Sequence, residues 1–205
     1  MPDGTGKTIL GFDCAGQWCA AALIRGDRVL ACRQEDMVRG QAERLMPLMV
    51  DLLAQAGLDW SDLDAIGVGV GPGNFTGTRI AVAAARGLAL SLGIPAIGVG
   101  SCEAAGFALP RPCRVILPAR AGEVFWQDFT TDDWPATPDL PRQGLPDTLP
   151  PGPPVGTSSV PLAEAVARIA RARLTHLPLP RPAPIYLRPA DAAPPADPPP
   201  RILPG

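Results

Sequence analysis

Apolar and polar positions follow two periods along the chain. Residues 8–13, TILGFD, are a short apolar run bounded by polar positions and read as a buried strand. Residues 18–35, WCAAALIRGDRVLACRQE, predict a hairpin that turns near Arg25-Gly26-Asp27. Over residues 41–57, QAERLMPLMVDLLAQAG, the period lengthens to that of a helix, which Gly57 closes. A strand at 63–70 follows, then a helix at 75–93 ended by Gly93, a short strand at 94–101 and a short helix at 102–109. Three antiparallel strands followed by alternating helix and strand predict an α/β fold, a mixed sheet with helices on it. Beyond it come a strand pair, 114–119 and 123–129, and an amphipathic helix at 161–174 with Pro161 in its first turn. No regular structure is assigned between about 133 and 157, and the end, APPADPPPRILPG, reads as extended or disordered.

The two long helices carry more apolar surface than one sheet needs. On the first, Arg44, Asp51 and Gln55 fall on one narrow stripe at roughly 100° per residue. Leu45, Met46, Leu48, Met49, Val50, Leu52 and Leu53 cover most of the remainder, and its two methionines suit an adaptable contact. The second is rich in small residues, and Arg79 and Arg86 share a face with Val82. Two readings stand open: a partner-binding face built from both helices, or deep burial of both within the same chain.

Composition narrows the choice of function. The 205 residues suffice for one domain or two small lobes. Only four of the 27 prolines precede residue 110, so regular structure concentrates in the first half. A net charge of -2 and a pI of about 5.4 argue against a chain that grips nucleic acid by itself. Five cysteines without a C-x-x-C pair read as small buried thiols in a reducing cytoplasm. Neither a signal peptide nor a bilayer-spanning run is apparent, so a soluble, cytoplasmic protein without membrane contact is expected.

Candidate chemistry is sparse. GVGPGNFTGTR, residues 69–79, lacks the lysine of a Walker loop, and Gly71-x-Gly73 runs on to Thr76 where a dinucleotide fingerprint needs glycine. GTGKT, residues 4–8, resembles the end of a Walker loop but precedes a strand instead of following one. Gly71 and Gly73 allow close backbone approach, and Asn74 can cap the helix whose first amides belong to Phe75, Thr76 and Gly77. Such an end can attract an anion or merely turn the chain tightly. Asp13, ending the first strand, is the best candidate for magnesium or phosphate. His176 is the only histidine, which makes a histidine-pair metal site or a serine–histidine triad improbable.

At this point the motifs resemble a family. GVGPGNFTGTRIAVAAARGLA is similar to the G-x-G-P-G-S-F-T-G-x-R-x-G segment of bacterial TsaB proteins. ILGFDCA, QAERLMPLM, IPAIGVGSCEA, ARAGEVFWQDF and APIYLRPADA match further segments of that family in order. The resemblance implies an actin-like, Hsp70-like ATPase (ASKHA) fold in two lobes, the second reduced. Its expected boundaries are 1–104 for the lobe carrying the partner-binding helices, 105–190 for a smaller proline-rich lobe, and 191–205 for a tail. It also implies a non-catalytic scaffold that pairs with TsaD and recruits the ATPase TsaE for threonylcarbamoyl transfer to adenosine 37 of tRNA. The scaffold itself would hold no cofactor or metal, and would meet tRNA only through the complex. A homodimer through the same helices is compatible when TsaD is absent. The partner-binding residues expected are Leu45, Met46, Met49, Leu53, Phe75, Arg79, Val82 and Arg86. Asp13, Gly71, Gly73, Asn74, Thr76 and Gly77 would be a degenerate nucleotide loop. Departures point the same way: Asp13-Cys14-Ala15 stands for Asp-Thr-Ser, Gln41 for a histidine, Pro118 for an aspartate and Asn74 for a serine. The alternative is a stand-alone ATPase or phosphotransferase of the same fold, with Asp13 holding magnesium. A peptidase reading ranks last, because the metal pair needs two histidines.

Overall fold

The computed structural model describes residues 6–130, 139–176 and 178–187. Five strands make the first sheet: β1 (Thr8–Asp13), β2 (Trp18–Arg25), β3 (Arg28–Asp36), β4 (Ala65–Gly69) and β5 (Ala96–Val99). Their order is β3-β2-β1-β4-β5, with β1 antiparallel to β2 and parallel to β4. The strands are built from alternate residues. Leu10, Phe12, Ile66 and Val68 point to one face, where helices α1 (Gln41–Gln55) and α2 (Phe75–Leu92) pack side by side. Ile9 and Ala65 point to the other.

That second face is covered from far along the chain. Helix α4 (Leu162–Arg173), in the segment expected to belong to the second lobe, lies on β1, β4 and β2. The approach is tight because the facing residues are small. A side chain on Gly11 would come 2.6 Å from the Ala163 carbonyl, and one on Gly67 would come 2.8 Å from the Ala170 methyl. Arg168 and Arg171 reach from α4 to the Asp27 turn, fastening the helix to the sheet edge.

A short helix α3 (Ser101–Ala105) leads to the second sheet: β6 (Cys113–Pro118), β7 (Val124–Phe129) and β8 (Arg142–Gly144), all antiparallel. β8 lies within the stretch to which no regular structure is assigned from sequence. Its three residues pair with the free edge of β7, where Arg142 stacks on Trp126 and Gln143 donates to Glu123. Propensity alone carries no such signal. The short helix also ends at Ala105, four residues before the expected limit, with Ala108 in the left-handed region. The expected tail at 191–205 lies outside the described residues.

Candidate functional site

The glycine loop joins β4 to α2 and is held on two sides, by Ser101 and by the β1–β2 turn. The Gly71 carbonyl accepts from the Ser101 amide at 2.7 Å, and the Asn74 amide donates to the Ala15 carbonyl at 2.5 Å. Gly71 adopts a φ of 84°, which favours glycine. Side chains at Gly73 and Gly77 would overlap the carbonyl oxygens of Ala15 and Cys14. The β1–β2 turn therefore fills the space in front of the loop. Two of the amides that could greet an anion are taken by the chain itself, since Asn74 Oδ1 accepts from Thr76 at 3.0 Å and from Gly77 at 3.1 Å. Asp13, Gly71, Gly73, Asn74, Thr76 and Gly77 lie together here, with the loop crowded by the Cys14 and Ala15 carbonyls and capped by Asn74.

Asp13 sits at the base of this cluster and is wholly buried. Its Oδ1 accepts from the Ala15 amide and the Trp18 indole, both at 2.8 Å. Its Oδ2 has no hydrogen-bond partner and lies against Gly69, where a side chain would overlap it. The Trp18 ring folds back over Gly16 and closes the turn. Burial pushes the Asp13 carboxyl above its ordinary value, against the opposing pull of the Trp18 and Ala15 hydrogen bonds. A carboxyl raised in the fold contributes a penalty that is absent below its unfolded value. The penalty grows as pH rises through the acid range. Asp13→Asn keeps both hydrogen bonds and removes the charge. We expect it to melt higher than the native chain at neutral pH, by about 1 kcal/mol. The gain should shrink toward zero near pH 3 to 4, and thermal melts across pH check this.

Beside Asp13, Cys14 and Cys19 occupy facing positions at the end of the β1–β2 ladder with their sulfurs 3.7 Å apart, both buried. The Cys14 thiol donates to Cys19, which lowers the Cys19 pKa and raises that of Cys14. Among the described residues no group of three His, Cys, Asp or Glu side chains could hold a metal ion. His176 is exposed at the end of α4, with its Nδ1 2.8 Å from the Thr175 hydroxyl.

The helix pair divides its apolar surplus between sheet and solvent. Leu45, Met49, Leu53 and Val82 lie in the core on β1, β2 and β4, so these four expected docking residues are corrected to the protein's own packing. The reason is rotation: α1 is apolar nearly all round, and the sheet takes the Leu45–Leu48–Leu52 side. Met46 and Val50 remain exposed on α1, at 40 % and 47 %. Phe75, Arg79 and Arg86 are exposed on α2, and Leu90 stands out at 87 %. Sequence reasoning missed the exposed Leu90 and Tyr186, and it counted Val50 in the apolar surplus of α1 without placing it among the docking residues. The repeat Phe75, Arg79, Ala83, Arg86, Leu90 was the available signal, because its spacing of three to four residues marks one side of a helix.

The last described segment crosses this region. The Ile185 amide donates to the Val70 carbonyl at 2.8 Å, and the Tyr186 hydroxyl accepts from Arg79 Nε at 2.7 Å. The Arg79 guanidinium lies 3.6 Å from the centre of the Phe75 ring, and the Phe75 and Tyr186 rings are 5.2 Å apart. Behind this strap is a cavity of about 280 Å³, lined by apolar residues, by Gln127, Asp139 and Arg181, and by the Glu103–Arg173 pair. That ion pair is almost fully buried; Arg173 also donates to the Gly98 carbonyl, and Glu103 accepts from the Gly100 amide. Burial raises the Glu103 carboxyl, while the Arg173 charge opposes the rise.

Comparisons with known proteins agree with this architecture. The family model described as TsaD, tRNA N6-adenosine threonylcarbamoyltransferase, matches residues 35–133. Uncharacterised proteins of Mycobacterium tuberculosis and Mycobacterium bovis are 32 % identical over 125 residues, 60 % of this chain. The match spans 59 % of the length of these curated relatives. Among solved structures, YeaZ from Pseudomonas aeruginosa is 26 % identical with a TM-score of 0.73, covering 88 % of this chain and all of YeaZ. A second Pseudomonas aeruginosa structure, described as similar to the peptidase YeaZ, is 25 % identical with a TM-score of 0.75, over 89 % of this chain and 100 % of the other. Among the described residues no helix is long and apolar enough to cross a membrane. The mixed sheet, the second smaller sheet and these likenesses give the chain the actin-like and Hsp70-like ASKHA fold, with a structure similar to that of YeaZ, a TsaB-type protein.

Proposed function

We propose that this chain is a non-catalytic docking subunit that pairs with a TsaD-type threonylcarbamoyltransferase and supports its modification of adenosine 37 in tRNA. The observation that carries the reading is the division of the helix pair. Leu45, Leu48, Leu52 and Val82 pack on the sheet, while Met46 and Val50, one turn apart on α1, and Phe75 and Leu90 on α2 stay in solvent. Apolar residues grouped in this way mark an interaction surface. The match of residues 35–133 to the TsaD model and the likeness to YeaZ support the choice of partner. A TsaE-type ATPase would join the pair, tRNA would be met through the complex, and the complex would work in the cytoplasm. Residues 1–104 would form the docking lobe, completed on its far sheet face by α4. In the absence of a TsaD-type protein, the same helices would serve a weak self-association.

The competing reading, an ATPase or phosphotransferase, requires Asp13 and residues 71–77 to receive magnesium and phosphate. The crowding of the loop by Cys14 and Ala15 and the capping by Asn74 favour the docking role. Reconstitution separates the two. The isolated chain should neither bind ATP–Mg²⁺ in calorimetry nor modify tRNA. With TsaD-type and TsaE-type proteins and a supply of threonylcarbamoyl-adenylate, omitting it should remove most tRNA modification, and Asp13→Asn should restore activity as well as the native chain does. Micromolar ATP binding that Asp13→Asn abolishes would establish the ATPase reading instead.

A further inference from the structure

The charges on the exposed helix side are one-sided. Helix α2 carries only two ionisable groups, Arg79 and Arg86, both exposed and seven residues apart, which places them about 10 Å apart along one stripe. On α1, Arg44 is already matched: it holds Glu35 at 2.6 Å and Asp51 at 3.0 Å, and Asp51 also lies 3.8 Å from Arg33. Glu43 is then the one carboxylate of the two helices without an ion pair among the described residues. A second copy docked on the same side would bring two guanidinium groups for each uncommitted carboxylate. Arg79 is also held in place before any partner arrives, since Phe75 stacks on it and Tyr186 takes its Nε hydrogen. A guanidinium fixed in this way loses little freedom when a carboxylate approaches its outer nitrogens.

Resting on the docking reading, we propose that Arg79 and Arg86 select the partner. The occupant is an apolar helical surface on a TsaD-type protein that carries two carboxylates about 10 Å apart, spaced to meet the two guanidiniums. Self-pairing is disfavoured by the same charges. The exposed apolar residues Ala83 and Leu90 on the arginine stripe of α2, with Met46 and Val50 exposed on α1, argue for a protein surface over an RNA backbone, because phosphates would leave them with nothing to pack against.

Affinity for the TsaD-type protein of the same organism, measured by calorimetry between about 0.05 and 0.5 M salt, tests this. Arg86→Glu, whose side chain is exposed, should fold normally and bind at least about 30-fold more weakly. Arg79→Glu/Arg86→Glu should bind more weakly still, and the native pair should weaken with salt more steeply than either variant. Changing the facing partner carboxylate to lysine should restore binding to Arg86→Glu. Met46→Asp serves as the separate control on the docking side and should abolish binding. If Met46→Asp abolishes pairing while both charge reversals bind within about threefold of the native chain, the charge-selection proposal falls and the docking side stands. If none of the variants weakens pairing, the docking reading falls with it. Charge reversal that leaves pairing intact but lowers tRNA retention would overturn the proposal in favour of RNA contact, and a native self-pair tighter than the mixed pair would overturn it as well.

Discussion

Gly77→Val is expected to unseat helix α2. The position faces the Cys14 carbonyl so closely that even a single added carbon would overlap it, and the obstacle is backbone in a buried turn, which cannot swing aside. Relief requires the first turn of α2 to lift from β1. That movement would break the Asn74–Ala15 hydrogen bond and the Asn74 cap in the same step. Overpacking with loss of a cap costs about 3 kcal/mol or more, enough to lower the melting temperature of a chain this size by about 10 °C. Gly87→Val on the same helix is the matched control. Nothing approaches that position, and valine has a higher helix propensity than glycine, so the variant should be as stable as the native chain or slightly more so. Circular-dichroism melts of the two variants decide the point. Equal stability would mean that the loop has room in front of it, and the case against a phosphate there would weaken.

The second large effect is expected at the buried Glu103–Arg173 pair. Arg173, at the end of α4, spans from Glu103 on α3 to the Gly98 carbonyl of β5, so it ties the late helix to the sheet edge and to α3. Removing one member leaves the other charged and desolvated. Arg173→Ala should therefore cost about 3 to 5 kcal/mol in denaturant unfolding. Replacing both members with apolar residues of similar size, Glu103→Leu with Arg173→Met, should recover much of that loss, because no uncompensated charge remains. If the double variant is as unstable as the sum of the singles, the pair stabilises by more than mutual neutralisation. The pH dependence has a definite sign. Burial raises the Glu103 carboxyl, so its penalty is absent below its unfolded value and grows as pH rises through the folded one. The Arg173→Ala variant, lacking the opposing charge, should be relatively more stable in acid than at neutral pH.

The sequence made most of the first sheet legible. Alternation over 8–13 and 18–35, the Gly26 turn and the Gly57 and Gly93 helix ends all follow from local chemistry, and positive φ at these three glycines bears it out. The Asn74 cap was equally local. What failed was rotation about the helix axis. Leu45 and Met46 are neighbours in sequence but about 100° apart on α1, and only the position of the sheet decides which one is buried. An all-round apolar helix hides that choice. Two other features depend on distant chain: α4 returns to the first sheet's free face, and Tyr186 reaches Arg79 across 107 residues. No local pattern encodes either contact. Strand β8 was missed for a similar reason, since three residues among prolines become a strand only when β7 offers an edge.

Hydrogen exchange on the chain alone and mixed with the TsaD-type protein of the same organism tests the docking claim most directly. We expect amides of residues 42–54 and 75–90 to gain protection in the mixture while the exposed β6–β7 turn at Arg120–Gly122 exchanges as before. Unchanged exchange in both helices, with protection gained elsewhere or nowhere, would contradict the assignment of Met46, Val50, Phe75 and Leu90 as the docking side.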